Sequence, residues 1–154
     1  MKAIVLILGL LLSVVGFSQN ITVKDNLYYQ KENLYTGKYM LYFDNSNVVK
    51  KELTIKEGKL DGEVVEYYEN GSKKEVGQYE GNLKFGLWFR YNSNGKVVAQ
   101  ASYKNDKKDG QWLVFDDNGN KLFQMEYKNG EKVGTWTQWN ESGEVLKTTS
   151  YASL

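Results

Sequence analysis

The sequence has no cysteine, no histidine and no proline among its 154 residues. Without cysteine there is no disulfide framework, thiol nucleophile, thiolate zinc site or lipid-modified cysteine anchor. Without histidine there is no Ser-His-Asp triad, no imidazole metal ligand and no side chain that titrates near neutrality unperturbed. Charge of one sign is equally scarce, with 20 Lys+Arg against 19 Asp+Glu. Nucleic-acid binding and electrostatic attachment to anionic lipid both need a basic excess, so neither is expected. All the cations but Arg90 are lysines, and bidentate phosphate clamps favour arginine.

Long apolar runs are also rare. The exception is Ala3 to Val15, preceded by Lys2 and broken only by Gly9 and Ser13. Gly16 and Ser18 then place small residues where a signal peptidase reads them. Residues 1–18 are therefore expected to be a secretory signal peptide cleaved after Ser18. At about fifteen residues the run is short for a membrane span, which needs about 20. The expected destination is periplasmic, cell-surface or secreted, with membrane contact only through that peptide. Losing Lys2 leaves 19 basic residues against 19 acidic ones. Such compartments are oxidising, yet packing alone must hold this chain.

What the sequence does have is a repeat. Gly37, Gly62, Gly86, Gly110 and Gly134 recur at spacings of 25, 24, 24 and 24, and Gly71, Gly95, Gly119 and Gly143 at 24 throughout. Tyr79, Tyr103, Tyr127 and Tyr151 follow the second series by eight residues. Two residues past the first glycine stand Tyr39, Val64, Trp88, Trp112 and Trp136; five past it stand Tyr42, Tyr67, Tyr91, Phe115 and Trp139. Each unit reads as two strands rich in aromatic and β-branched residues. An Asn-Gly or Ser-Gly turn joins them, and a second turn such as Lys128-Asn129-Gly130-Glu131 leads to the next unit. No segment shows helical periodicity.

The expected fold is all-β: a single-layer antiparallel β-meander solenoid of about five 24-residue hairpin repeats, roughly 50 Å long at about 4.8 Å between strands. A two-residue turn would set Trp88 opposite Ala101 and Gly86 opposite Tyr103. A three-residue turn would shift that pairing by one, and Asn92, Asp116 and Asn140 at the first turn position favour it. Residues 19–33 read as an N-terminal capping strand region and 34–154 as the repeat domain. Leu27 to Tyr35 is expected to supply the starting strand.

Units such as Lys108-Asp109-Gly110-Gln111-Trp112, with Asn118-Gly119 and Tyr127-Lys128-Asn129-Gly130, resemble the MORN-repeat variant, a relative of the membrane occupation and recognition nexus repeat. The resemblance covers residues 34–151. It implies a fold built on structural glycines and aromatics. Many bacterial members are labelled toxin–antitoxin antitoxins, and relatives elsewhere serve as protein- or lipid-binding scaffolds. An export signal fits poorly with neutralising a cytoplasmic toxin.

No catalytic, cofactor-binding or metal-binding residue is identified. Asp61 and Asp109 recur just before the first glycine, but Thr36, Phe85 and Val133 stand there in other units, so hydrogen bonding to turn backbone is the expected role. Asp116-Asp117-Asn118-Gly119-Asn120 lacks the bidentate glutamate of a calcium loop. Lys50, Lys51, Lys73, Lys74, Lys107 and Lys108 read as solvated residues that block edge-to-edge pairing. The aromatic columns carry two readings: rings that pack along the sheet and shield its backbone, or a platform for a partner. The expected function is an exported, non-enzymatic repeat scaffold that binds another protein through an open aromatic face. The contact candidates are Trp88, Trp112, Trp136, Tyr91, Phe115 and Trp139. The alternatives are a glycan- or cell-wall-binding module on the same stripe, or an antitoxin-like component.

Overall fold

The computed structural model of the chain describes residues 20–152; the expected signal peptide lies outside them. Three short strands come first: β1 (Ile21–Lys24), β2 (Leu27–Gln30) and β3 (Asn33–Leu34). Ten longer strands follow: β4 (Gly37–Tyr42), β5 (Val49–Lys56), β6 (Lys59–Tyr67), β7 (Lys73–Glu80), β8 (Leu83–Tyr91), β9 (Val97–Lys104), β10 (Lys107–Phe115), β11 (Lys121–Lys128), β12 (Glu131–Trp139) and β13 (Val145–Tyr151). The ten form one open antiparallel sheet in strict chain order. It is a meander in which each strand pairs only with its neighbours in sequence.

Two irregularities recur in every unit. At the hairpin tip, Asn92 N–H donates to Lys96 O and Gly95 N–H to Asn92 O, each at 2.9 Å. This is the three-residue turn the sequence favours, with Gly95 at φ +79°. The expected one-residue shift in pairing does not persist, however. Arg90 faces Ala99 while Tyr91 faces Val97, so Val98 is extra on its strand. That β-bulge restores Trp88 opposite Ala101 and Gly86 opposite Tyr103. Lys50, Lys74, Leu122 and Leu146 are the extra residues of the other units.

The second irregularity lies between units. Gln78 faces Phe85 and Val76 faces Phe89, so the stretch around Gly86 is two residues longer than the β7 segment opposite it. Gly86 takes φ +67° there, a conformation that glycine adopts at no steric cost.

The starting strand is β4, not Leu27 to Tyr35. Asn33 and Leu34 turn back onto Gln30 and Tyr29, so that segment closes a separate three-stranded sheet, β1-β2-β3. This cap lies on one face of the large sheet, hereafter the cap face. Beneath it Tyr35, Leu53, Ile55 and Val64 form a core cluster, with Ile21 and Tyr28 of the cap packed against it. Ile55 is only 1% exposed. It occupies the position that later units give to tyrosine, and the cap seals it. Tyr28 N–H donates to Gly58 O and Gly58 N–H to Tyr35 O, both at 2.8 Å.

On the reverse face one cross-strand row runs Glu52, Val65, Val76, Phe89, Gln100, Leu113, Gln124, Thr137 and Thr148. It is apolar from Val65, which is buried, to Phe89, and mostly polar from Gln100 to β13.

Candidate functional site

Period-two alternation puts the tryptophan and tyrosine columns on the same face. Their rings interleave along the cap face. Tyr79 stands edge-on to Trp88 at 5.2 Å between centroids, and Trp88 to Tyr103 at 6.1 Å. Trp112 and Tyr127 are 5.8 Å apart, Tyr127 and Trp136 5.0 Å, and Trp136 and Tyr151 4.9 Å. Burial pushes the phenols of Tyr79, Tyr103 and Tyr127 above their ordinary pKa.

A third column joins these two. The irregularity at Gly86 brings Lys84 over its own unit's indole, with Nζ 3.9 Å from the Trp88 ring and 5.2 Å from Tyr103. Lys108 lies 3.5 Å over Trp112 and 4.7 Å from Tyr127; Lys132 lies 4.7 Å over Trp136 and 5.4 Å from Tyr151. Each contact is a cation–π interaction of about 0.5–2 kcal/mol, depending on desolvation. The following turn clamps the lysine backbone. Lys84 N–H donates to the Asp106 carboxylate at 2.7 Å, and Lys84 O accepts from Asp106 N–H at 3.1 Å. Among the described residues the ion pairs go to Lys38, Lys51, Lys74, Arg90 and Lys128, not to these three lysines. Burial, with the charge of Lys132 beside it, holds the Lys108 ammonium below the ordinary lysine range.

Sequence reasoning placed Lys108 among the solvated edge residues and passed over the other two. The readable signal was the spacing: Lys84, Lys108 and Lys132 stand two residues before successive unit glycines. Tyr35 and Leu60 hold that place in the first two units. There the cap covers the stripe, and an apolar residue replaces the cation.

The tryptophans differ in accessibility. Trp88 is only 5% exposed, because its indole lies over the bare backbone of Gly77, where a Cβ would collide with it. Its Nε1 has no hydrogen-bond partner among the described residues, whereas Trp136 Nε1 donates to Glu126 O at 3.0 Å. Trp112 and Trp136 are half-buried. The six contact candidates do not form one surface. Tyr91 and Trp139 stand three residues after their tryptophans, an odd offset that turns them toward the reverse face, whereas Phe115, beside the bulge at Leu122, borders the cap-face cleft. On the reverse face Trp139 lies beneath Lys121, at 5.5 Å.

Between Trp88 and Trp112 the cap face opens into a cleft of about 310 Å³. Ala99 and Ala101 floor it, Tyr103 and the two indoles wall it, and Val98, Val114 and Phe115 border its hairpin end. The cleft exists because the floor column of Leu53, Gly77, Ala101, Met125 and Thr149 has a small residue at Ala101, and no neighbouring ring fills the space as Trp88 does at Gly77. Lys84 stands at one end, and Arg90, 3.6 Å from Glu75, at the other.

The recurrent carboxylates serve turns. Asp61 accepts the Gly81 N–H at 3.2 Å and Asp109 the Asn129 N–H at 3.0 Å. Asp116 accepts the N–H groups of Asn118 and Asn120, each at 2.8 Å.

Residues 60–80, 86–105 and 108–129 match the family described as the MORN repeat variant, so three successive units of this chain are MORN-variant repeats. Among curated proteins none matches the chain.

Proposed function

We propose that this MORN-variant chain is an exported, non-enzymatic repeat scaffold that binds another protein through the uncovered part of its cap face. The supporting observation is the break in cover along the stripe. Over the first two units the cap seals the column positions. Over the later three, aromatic rings and lysines continue with no strand above them among the described residues, and the cleft between Trp88 and Trp112 opens on that face. Half-exposed tryptophan beside a concave apolar site is the composition of binding hot spots. The export reading rests on Lys2, the apolar run and the small residues at Gly16 and Ser18.

The cap-face site comprises Trp112, Trp136 and the walls of the cleft, with Trp88 as a buried support. A glycan is the weaker reading, because sugar stacking needs a free ring face and the lysines already occupy the indole faces.

The test is affinity capture from cell-envelope extract, comparing the wild type with an Ala101→Leu variant that fills the cleft. A protein retained by the wild type and lost by the folded variant supports the reading. Equal capture by both, or a tryptophan fluorescence response to oligosaccharides with no protein captured, counts against it.

A further inference from the structure

We propose that the segment bound on the cap face is an acidic polyproline-II stretch with a carboxylate at every third residue. This rests on the scaffold reading above and specifies the chemistry of its partner.

The first argument is charge. Lys84, Lys108 and Lys132 project over the stripe without a carboxylate partner among the described residues. Around Lys84, Asp106 accepts the Lys84 N–H and Glu75 pairs with Arg90. The uncovered face is thus cationic although the chain as a whole is nearly neutral. Burial and repulsion from Lys132 disfavour the Lys108 charge, and an incoming carboxylate offsets them with an opposite charge.

The second argument is period. Successive lysines stand two strands apart, about 10 Å at the ordinary spacing of a sheet. A polyproline-II helix returns to the same face every three residues, about 9 Å along its axis. A β-strand returns every two residues, about 7 Å, and an α-helix every 5.4 Å or so. The β-strand does not match the column, and the α-helix does so only at every second turn, about 10.8 Å, so the surface between the cations decides between the two helices.

The third argument is the surface between the cations. Grooves walled by aromatic rings are how polyproline-II segments are recognised elsewhere, since the ligand is already extended and loses little entropy. The cleft between Trp88 and Trp112 receives the apolar residue lying between two carboxylates.

The experiment titrates the purified chain with a peptide of Glu-Pro-Pro repeats, followed by tryptophan fluorescence. Controls are a peptide of the same composition with its glutamates in one block, a Lys-Pro-Pro repeat, and phosphatidylserine vesicles. The spaced acidic peptide is expected to bind at least tenfold more tightly than the block peptide, and to weaken as salt rises. Changing Lys84, Lys108 and Lys132 to Gln together is expected to abolish that preference while the circular dichroism spectrum is unchanged. Lys108→Gln alone, which keeps the other cations, is expected to lose part of it. Equal binding of the two acidic peptides, binding unaffected by the lysine changes, binding of vesicles but not of the spaced peptide, or no peptide binding overturns the proposal. A captured protein that survives the lysine changes but is lost with Ala101→Leu overturns it too, and leaves the scaffold reading standing.

Discussion

Gly77 and Trp88 give the sharpest test of how this sheet is packed. A methyl group at Gly77 would fall within the Trp88 indole, against Cδ2, Cε2 and Cε3. The ring must therefore leave its place or the strands must part. Trp88 is 5% exposed. A buried tryptophan removes about 150–250 Å² from water, worth about 4–6 kcal/mol as an upper bound at about 25 cal/mol per Å². Gly77→Ala should forfeit part of that, about 2–3 kcal/mol, in the range of core overpacking. Trp88→Val should cost a similar amount, because valine keeps some of the burial. Val64 already holds the equivalent position in the preceding unit. In the double variant the added methyl meets no ring, and its cost should vanish, giving a coupling of about 2 kcal/mol. The assay is urea denaturation of all four proteins, followed by far-ultraviolet circular dichroism so that the readout does not depend on the indole. Midpoint shifts at constant slope give the differences. Simple additivity of the two substitutions would refute the stacking of Trp88 on Gly77.

Gly95→Ala should cost about 1–2 kcal/mol by a different mechanism. Its φ is +79° and nothing lies within 4 Å of an added Cβ, so the penalty is backbone strain and Trp88→Val should not rescue it in the same denaturation series. Trp136→Phe should destabilise more than Trp88→Phe by about 1 kcal/mol of hydrogen bonding, because only the Trp136 indole N–H has an acceptor; thermal midpoints would show equal losses if this is wrong. Asp116 is held below the usual carboxylate range: the hydrogen bond from the Asn120 side chain has the largest effect, burial opposes it, and the backbone N–H groups of Asn120, Asn118 and Gly119 add to the lowering. Its contribution is therefore present above the unfolded pKa near 4 and lost as pH falls through the lower folded value. Asp116→Asn should flatten that acid limb, and a pH series of midpoints identical to the wild type would contradict it.

Much of this fold was readable because the repeat is register-locked. Gly71, Gly95, Gly119 and Gly143 marked the hairpin tips, and Gly37, Gly62, Gly86, Gly110 and Gly134 the breaks between units. The pairing register was harder, because turn geometry and strand pairing are set separately. Asn92 dictates a three-residue turn, and the bulge at Val98, which has no composition of its own, cancels the shift. The fate of Leu27 to Tyr35 was hidden for another reason. An alternating apolar segment reads the same whether it extends a sheet edge or folds over its face. The aromatic columns were visible, but not which rings share a face, since the bulges beside the hairpin tips interrupt the two-residue alternation. Lys84, Lys108 and Lys132 are ordinary surface residues until the irregularity at Gly86 and its equivalents folds each one over an indole.

The four tryptophans offer the most direct measurement of the central claim, since Trp88, Trp112 and Trp136 lie on the cap face and Trp139 on the reverse. Their indole N–H resonances should be recorded in the free chain and with its captured partner. Trp112 and Trp136 are expected to move and broaden, Trp88 to shift with the cleft it supports, and Trp139 to stay where it was. Movement of Trp139 with the cap-face signals unchanged would contradict that claim and place binding on the reverse face.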